Sequence, residues 1–242
     1  DTLAEEGLLK KEEIRNIPWG SNPKRVDFGA MYAHRMAVLR LAFQRFAPDK
    51  AYETFVEQNR SWLEDYALFM ALKGTLGGKP WLDWPEDLRL RKADALAEKR
   101  RELSEEIRLQ FFAQYEFDKQ WKALRSYANA KGVRIIGDVP IYVPLDSADV
   151  WANPELFQLD ESRHPEQVAG CPPDSFTADG QLWGNPIYDW KKMAQTRYSW
   201  WIQRLAAAGK LYDVIRLDHF RGFESYWSVP AGDTTARNGK WV

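Results

Sequence analysis

The run Leu211-Tyr-Asp-Val214-Ile-Arg216-Leu-Asp218 ends in an arginine and a carboxylate two residues apart, with His219 directly after them. Side chains alternate along a strand, so Arg216 and Asp218 would point to the same side. A guanidinium beside a carboxylate favours its charged form, which a nucleophilic or charge-stabilising carboxylate needs. His219 could hydrogen-bond a substrate hydroxyl, and Arg221, Phe223 and Glu224 crowd the same stretch. An Arg–Asp pair at a strand end can equally be a plain structural salt bridge. A second β-branched run, Val133-Arg-Ile-Ile-Gly-Asp138, also ends in a carboxylate. Asp138 reads as a reactive group or as a cap for the next turn.

Between these two runs lies a long segment, 140–189, which holds seven of the 13 prolines and shows little periodicity. Loops that long inside a compact domain are usually functional. It carries Trp151-Ala-Asn-Pro154, Pro172-Pro-Asp174 and Gln181-Leu-Trp183-Gly-Asn185-Pro186. Trp, Asn, Gln and Asp are residue types that grip sugars, by stacking on the ring face and by hydrogen bonds to rim hydroxyls. Each stretch alone also punctuates ordinary turns. Their clustering between two carboxylate-tipped strands points to a binding loop.

The elements that must position these groups follow from hydrophobic periodicity. Phe28, Met31, Tyr32, Met36, Leu39, Phe43 and Phe46 predict a helix over 26–47, with Asp27 as its cap. A second helix follows through Tyr52, Phe55, Trp62, Leu63, Tyr66 and Met70, ended by Gly74, Gly77, Gly78 and Pro80. Residues 81–85 read as an irregular connector. Residues 86–108 hold seven acidic and seven basic residues, which predicts a solvated, salt-bridged helix. A long helix from about Ser104 to Ala130 would turn Phe111, Tyr115, Trp121, Leu124 and Tyr127 inward and stop at Gly132. A further helix over 190–208 would close at Gly209. No element is predicted over 219–242. Helix, glycine, β-rich run is the αβ half of a β/α repeat, and reactive groups in such folds gather at the carboxyl ends of the strands. The two runs should therefore be parallel neighbours with Asp138 and Asp218 at the same end.

Composition narrows the function classes. The chain has 242 residues with 34 Lys and Arg against 35 Asp and Glu, so no electrostatic argument favours nucleic acid or an anionic membrane as partner. At 45% hydrophobic and 29% charged it has material for a packed core. No stretch is apolar enough to span a bilayer, and no secretory leader is expected. One cysteine and three histidines cannot build a Cys/His zinc site, and Cys171 has no partner for an internal disulfide. A reducing compartment is expected. Twelve Trp residues imply either a very aromatic core or a face for flat apolar rings.

Six motifs in order resemble the 4-α-glucanotransferase family (amylomaltase or disproportionating enzyme) of the α-amylase clan. They are Gly137-Asp-Val-Pro-Ile-Tyr-Val143, Asp146-Ser-Ala-Asp-Val-Trp-Ala-Asn-Pro-Glu-Leu-Phe157, Pro172-Pro-Asp174, Gly180-Gln-Leu-Trp-Gly-Asn-Pro186, Tyr188-Asp-Trp190 and Arg216-Leu-Asp-His-Phe-Arg-Gly-Phe223. The similarity is dense from about Phe111 to Val242. It implies an α/β fold: a partial (β/α)8 TIM barrel containing about strands 3 and 4, with a helical inserted subdomain. Residues 1–105 would be the helical insertion, and 106–242 the partial catalytic barrel with a glucan-binding loop at 140–189. The resemblance implies Asp218 as the nucleophile of a covalent glucosyl intermediate, with Arg216 positioning it. Asp138 and His219 would hold hydroxyls of the transferred sugar. Asp174, Gln181, Trp183 and Asn185 would line the glucan groove. Where many members carry an aromatic after Pro-Pro-Asp, this chain has Ser175.

A barrel needs eight strands, and the resemblance places the opening strands before residue 1. It places the acid/base Glu and a second active-site Asp beyond Val242. The chain thus reads as an internal piece, inactive by itself, of a cytoplasmic or plastid enzyme that transfers α-1,4-glucan segments between malto-oligosaccharides. Starch- and glycogen-derived glucans are further partners; no metal or other cofactor is implied. An α-glucan hydrolase of the same clan and a non-catalytic glucan-binding piece are the alternatives.

Overall fold

The computed structural model describes residues 2–22 and 24–242. Two short helices, α1 (Thr2–Glu5) and α2 (Lys11–Arg15), precede three long ones: α3 (Phe28–Phe43), α4 (Lys50–Thr75) and, after three smaller elements, α7 (Ser104–Ala130). Asp27 caps α3 by accepting from the Ala30 N–H, and Asp49 caps α4 by accepting from Tyr52. The predicted helix over 86–108 is broken. It forms α5 (Glu86–Arg89) and α6 (Ala93–Glu102), with Arg91 in the left-handed region between them. Nor is it wholly solvated, because Leu88, Leu96 and Leu103 are buried against α4 and the aromatic core. The connector at 81–85 contains a single 3-10 turn, Trp81–Asp83.

Helix α7 has the predicted bounds and a different inner face. Leu109, Phe112 and Glu116 are buried, while Leu124 and Tyr127 are exposed. Its C-terminal half docks instead through Trp121, Arg125 and Asn129, four residues apart and so on one face. Trp121 Nε1 donates to the Leu211 carbonyl at 2.8 Å, and Arg125 and Asn129 both donate to Asp213.

Strands β1 (Ile136–Val139) and β4 (Val214–Leu217) pair in parallel, with Asp138 opposite Arg216. Gly137 is obligatory at its place: a Cβ there would lie 1.9 Å from the Tyr212 ring. One face of the pair, with Gly137, Val139, Ile215 and Leu217, turns to the core; the other carries Ile136, Asp138, Val214 and Arg216 and is open.

The segment predicted as a loop, 140–189, is structured. It contains α8 (Ala148–Ala152), a 3-10 turn at Pro154–Leu156, and strands β2 (Gln167–Cys171) and β3 (Gln181–Pro186). The tail beyond residue 219, for which no element was predicted, supplies a 3-10 turn at Phe220–Phe223 and strands β5 (Trp227–Pro230) and β6 (Lys240–Trp241). Together they form an antiparallel sheet in the order β3-β2-β5-β6. The central pairing, β2 with β5, joins residues some 60 apart, such as Gln167 and Pro230, so local patterning does not reveal it.

The predicted helix over 190–208 is two helices, α9 (Trp190–Gln195) and α10 (Ser199–Leu211), and Gly209 lies inside the second rather than closing it. Arg197 and Tyr198 are both left-handed at the break. The bend has a packing reason. The rings of Trp190, Trp200 and Trp201 all lie 5.2–5.7 Å from Tyr188. Along a straight helix, residues 190 and 201 would stand roughly 16 Å apart and could not share one ring.

The main buried cluster draws on both sides of residue 105. Leu68, Phe69, Leu72, Trp81, Trp84 and Leu88 join Val139, Ile141, Val150, Trp151, Ile187, Tyr188 and Trp201. A second cluster holds α1–α3 against α7 through Leu9, Ala42, Leu109 and Phe112. Trp81, Trp84, Trp151 and Trp201 are thus core, and Trp190, Trp200 and Trp227 pack against core residues, whereas Trp19, Trp62, Trp183 and Trp241 are exposed. No helix of the described residues is long and apolar enough to cross a membrane.

Candidate active site

The parallel register sets the site. Asp138 lies opposite Arg216, and Asp218 follows two residues on, so the three side chains share the open face. The Asp218 N–H donates to the Val139 carbonyl at 3.0 Å, extending the ladder past the last strand residue. Arg216 Nη1 donates to Asp138 Oδ2 at 2.8 Å and Nη2 to Asp218 Oδ1 at 2.6 Å. One guanidinium therefore bridges two carboxylates. All three side chains remain open: Arg216 is 61% exposed, Asp138 53% and Asp218 48%. Among the described residues, Asp138 Oδ1 and Asp218 Oδ2 receive no donor. These oxygens are free to attack an electrophilic carbon, steady a developing positive charge or accept from hydroxyls.

His219 adopts a left-handed conformation, φ 49° and ψ 47°, and starts the 3-10 turn. Its ring meets Trp183 edge to face, with centroids 5.0 Å apart. His219 Nε2 is buried without a partner. Trp183 is half-exposed, and its Nε1 donates to Gln181 Oε1 at 3.0 Å, so Gln181 fixes the indole. Asn185 Nδ2 donates to the Val143 carbonyl at 2.9 Å, tying β3 to the segment after β1.

Asp174 stands apart from this cluster. Its Oδ1 accepts from the Phe176 and Thr177 N–H groups and shapes the turn between β2 and β3. At the tip of that turn Phe176 is 96% exposed. Phe176 is not among the groove residues expected from sequence, although a phenylalanine in a polar turn is a readable signal.

Beneath the site, Tyr188 is fully buried and donates its hydroxyl to the Ile141 carbonyl at 2.6 Å. Arg204 Nη1 donates to the same carbonyl at 3.1 Å and lies over the Trp201 ring. Burial pushes the Tyr188 phenol up and the Arg204 guanidinium down, so the phenol stays a neutral donor. Tyr188 entered the sequence reading only as part of the Tyr188-Asp-Trp190 motif, without a role, and Arg204 not at all, because a Tyr and an Arg at such positions give no periodic signal. Among the described residues, no three His, Cys, Asp or Glu converge in a group that could hold a metal ion.

The comparisons with known proteins agree over the whole chain. The sequence matches the family described as 4-alpha-glucanotransferase over residues 1–242. It is 48% identical to a 4-alpha-glucanotransferase of Thermus thermophilus, over 99% of this chain and 48% of that one. It is 46% identical to one of Clostridium butyricum, over 100% of this chain and 50% of the relative. Among solved structures, the amylomaltase from Streptococcus agalactiae in complex with acarbose superposes with a TM-score of 0.94 at 42% identity, covering 100% of this chain and 50% of that one. The chain spans about half the length of the curated relatives it matches. The mixed α/β fold is that of its amylomaltase neighbour.

Proposed function

The chain belongs to the 4-alpha-glucanotransferase family, and on that premise we propose that it supplies the nucleophile-bearing part of a glucan-transferring active site. The observation that carries this is the single guanidinium of Arg216 bridging two half-open carboxylates at the ends of parallel strands. In this reading an Asp218 oxygen attacks the anomeric carbon of an α-1,4-linked donor. The C1–O bond to the leaving sugar breaks, and a carboxylic acid elsewhere in the enzyme protonates the departing oxygen. The 4-hydroxyl of an acceptor glucan then attacks C1, gives its proton to that same group, and frees Asp218 with the configuration retained. Two displacements replace one difficult step.

Arg216 fixes the attacking carboxylate through its 2.6 Å contact. Asp138 and His219 would take hydroxyls of the transferred sugar. Trp183, held by Gln181, would stack on a glucose ring, with Asn185 and Asp174 shaping the groove and Phe176 offering a second ring. The ligand class is malto-oligosaccharide, consistent with the acarbose carried by the Streptococcus neighbour.

We take β1 and β4 as two strands of a (β/α)8 barrel, with 1–105 a helical insertion and 106–242 the barrel part. The exposed face supports this. Ile136 and Val214 lie one step below the charged residues, so the face is apolar low and charged high, as a barrel interior is. A pair of parallel strands open on one face also needs covering to be stable. A reducing, cytoplasmic setting fits the single free Cys171.

The test is product analysis on the full-length enzyme carrying this sequence. Maltotriose should give a ladder of longer and shorter oligosaccharides; release of glucose alone would point to hydrolysis. Acid quench during turnover should leave a hexosyl ester on the peptide containing Asp218, and an unmodified peptide would remove the nucleophile assignment.

A further inference from the structure

We propose that Gly222 is a positioning residue for this site: the side chain it lacks lets the turn after Asp218 close against Ile141. The inference rests on the reading of Asp218 as the nucleophile. Gly222 is buried within the 3-10 turn, and its N–H donates to the His219 carbonyl at 2.9 Å. A Cβ there would meet Ile141 Cδ1 at 2.7 Å, His219 Cδ2 at 3.2 Å and the Tyr142 hydroxyl at 3.7 Å. The first of these is closer than van der Waals radii allow, so the wall or the turn must move.

The clash falls on the end of the Ile141 side chain, which is packed in the main cluster, while Tyr188 and Arg204 hold the main chain behind it by donating to its carbonyl. The far side of the turn is held as well. Phe223 packs against Trp201 at 5.0 Å and Trp190 at 5.9 Å, and the His219 ring is held by the edge contact with Trp183. The part of the strain at Gly222 that the packed Ile141 methyl does not absorb passes to the left-handed backbone at His219, and Asp218 is joined directly to it. Ile141 in turn lies three residues beyond Asp138. The Gly222–Ile141 contact thus links the two strand-end segments whose carboxylates share Arg216.

The experiment measures maltotriose disproportionation and thermal melting for four forms of the full-length enzyme: parent, Gly222→Ala, Gly222→Ala with Ile141→Val, and Asp218→Asn. Gly222→Ala should lower kcat about 10- to 100-fold, because a displacement below 1 Å at the reacting group is costly, with a smaller rise in KM through the neighbouring His219. Ile141→Val deletes Cδ1, the atom in the way, and should restore most of kcat in the double variant. Parent-like kcat in folded Gly222→Ala overturns the inference. So does a double variant that is folded and still slow, since the wall is then not Ile141. Should the single variant fail to fold, the double decides: near-parent kcat upholds the wedge, and a folded but slow or an unfolded double overturns it. Asp218→Asn separates this from the function itself. An active Asp218→Asn sinks the nucleophile reading, whereas a dead Asp218→Asn beside a normal Gly222→Ala sinks only the role of Gly222.

Discussion

The two ends of strands β1 and β4 use the same chemistry, arginine against aspartate, to opposite effect. At the lower end, Asp213 is 11% exposed and surrounded by donors. The Ile135 N–H and Asn129 Nδ2 reach Oδ2 at 2.8 Å, and Arg125 Nε reaches Oδ1 at 2.9 Å. Arg125 is itself anchored on the Lys210 carbonyl. That carboxylate is consumed by the fold: it joins α7, the entry to β1 and the entry to β4. At the upper end, Asp138 and Asp218 divide one guanidinium and keep free oxygens toward open space. A salt bridge in a sequence therefore says little by itself. The ratio of donors to acceptor sites, and what remains unfilled, separates a structural carboxylate from one available to a ligand.

The strongest way to break the contrast is Asp218→Asn in the full-length enzyme. The amide keeps the shape and loses the charge and nearly all nucleophilicity. Turnover should fall by several orders of magnitude while the melting temperature stays near the parent's. Parent-like turnover would place Asp218 with Asp213, as structure. Arg216→Ala should come next, with a loss on the order of 10²-fold or more in kcat, since two carboxylates then face each other without their bridge. Stability should barely move, because exposed ion pairs of this kind contribute on the order of 0–1 kcal/mol. A large drop in melting temperature with normal turnover per folded molecule would reverse the assignment. Gln181→Ala should be milder. It frees the Trp183 indole without touching the carboxylates, so KM for maltotriose should rise severalfold with kcat nearly unchanged. A kcat loss equal to that of Arg216→Ala would show the loop to be part of the chemistry.

How much of this could be read beforehand follows the range of the interactions. The helices α3, α4 and α7 obey local rules, 3.6-residue periodicity and Asp caps, and their bounds were legible. The parallel pairing of the two carboxylate-tipped runs was also legible, because each follows a helix and a glycine as in a β/α repeat, and alternation puts Arg216 and Asp218 on one side. What escaped was non-local. The antiparallel sheet joins Gln167–Cys171 to Trp227–Pro230, and neither segment alternates cleanly. The bend at Arg197 and Tyr198 exists for the sake of one distant ring, Tyr188. In α7 the apolar stripe through Leu124 and Tyr127 misled, since that half of the helix docks by the polar pair Arg125 and Asn129. Trp183 and Gln181 were named as groove residues one by one; that one holds the other needed coordinates. Asp213 was in plain view three residues before Arg216, and nothing local distinguished it from Asp218.

Asp213 also supplies the gentlest test, one that should leave chemistry alone. Its three donors hold the carboxyl well below the usual range, at about 2 against an ordinary 3.8, with the Ile135 N–H the largest cause, then Asn129, then Arg125. A depressed folded-state pKa means the native protein resists the proton that the unfolded chain accepts. The stabilising contribution is thus fully present above about pH 4 and is lost as pH falls toward 2. Glu13, lowered to about 2 chiefly by its hydrogen bond from Arg45, acts in the same window, so the parent's melting temperature should drop through it for both reasons. Asp213→Asn removes one of the two. The variant should melt several degrees lower at neutral pH, because the Arg125 and Ile135 donors lose their charged partner. Its melting temperature should then fall less steeply than the parent's between pH 4 and pH 2, and the two curves should converge. Turnover per folded molecule at neutral pH should equal the parent's. If Asp213→Asn instead tracks the parent's acid limb in parallel, the carboxylate is not the proton-linked latch its donors imply, and the two strand ends are less different than their hydrogen bonds make them.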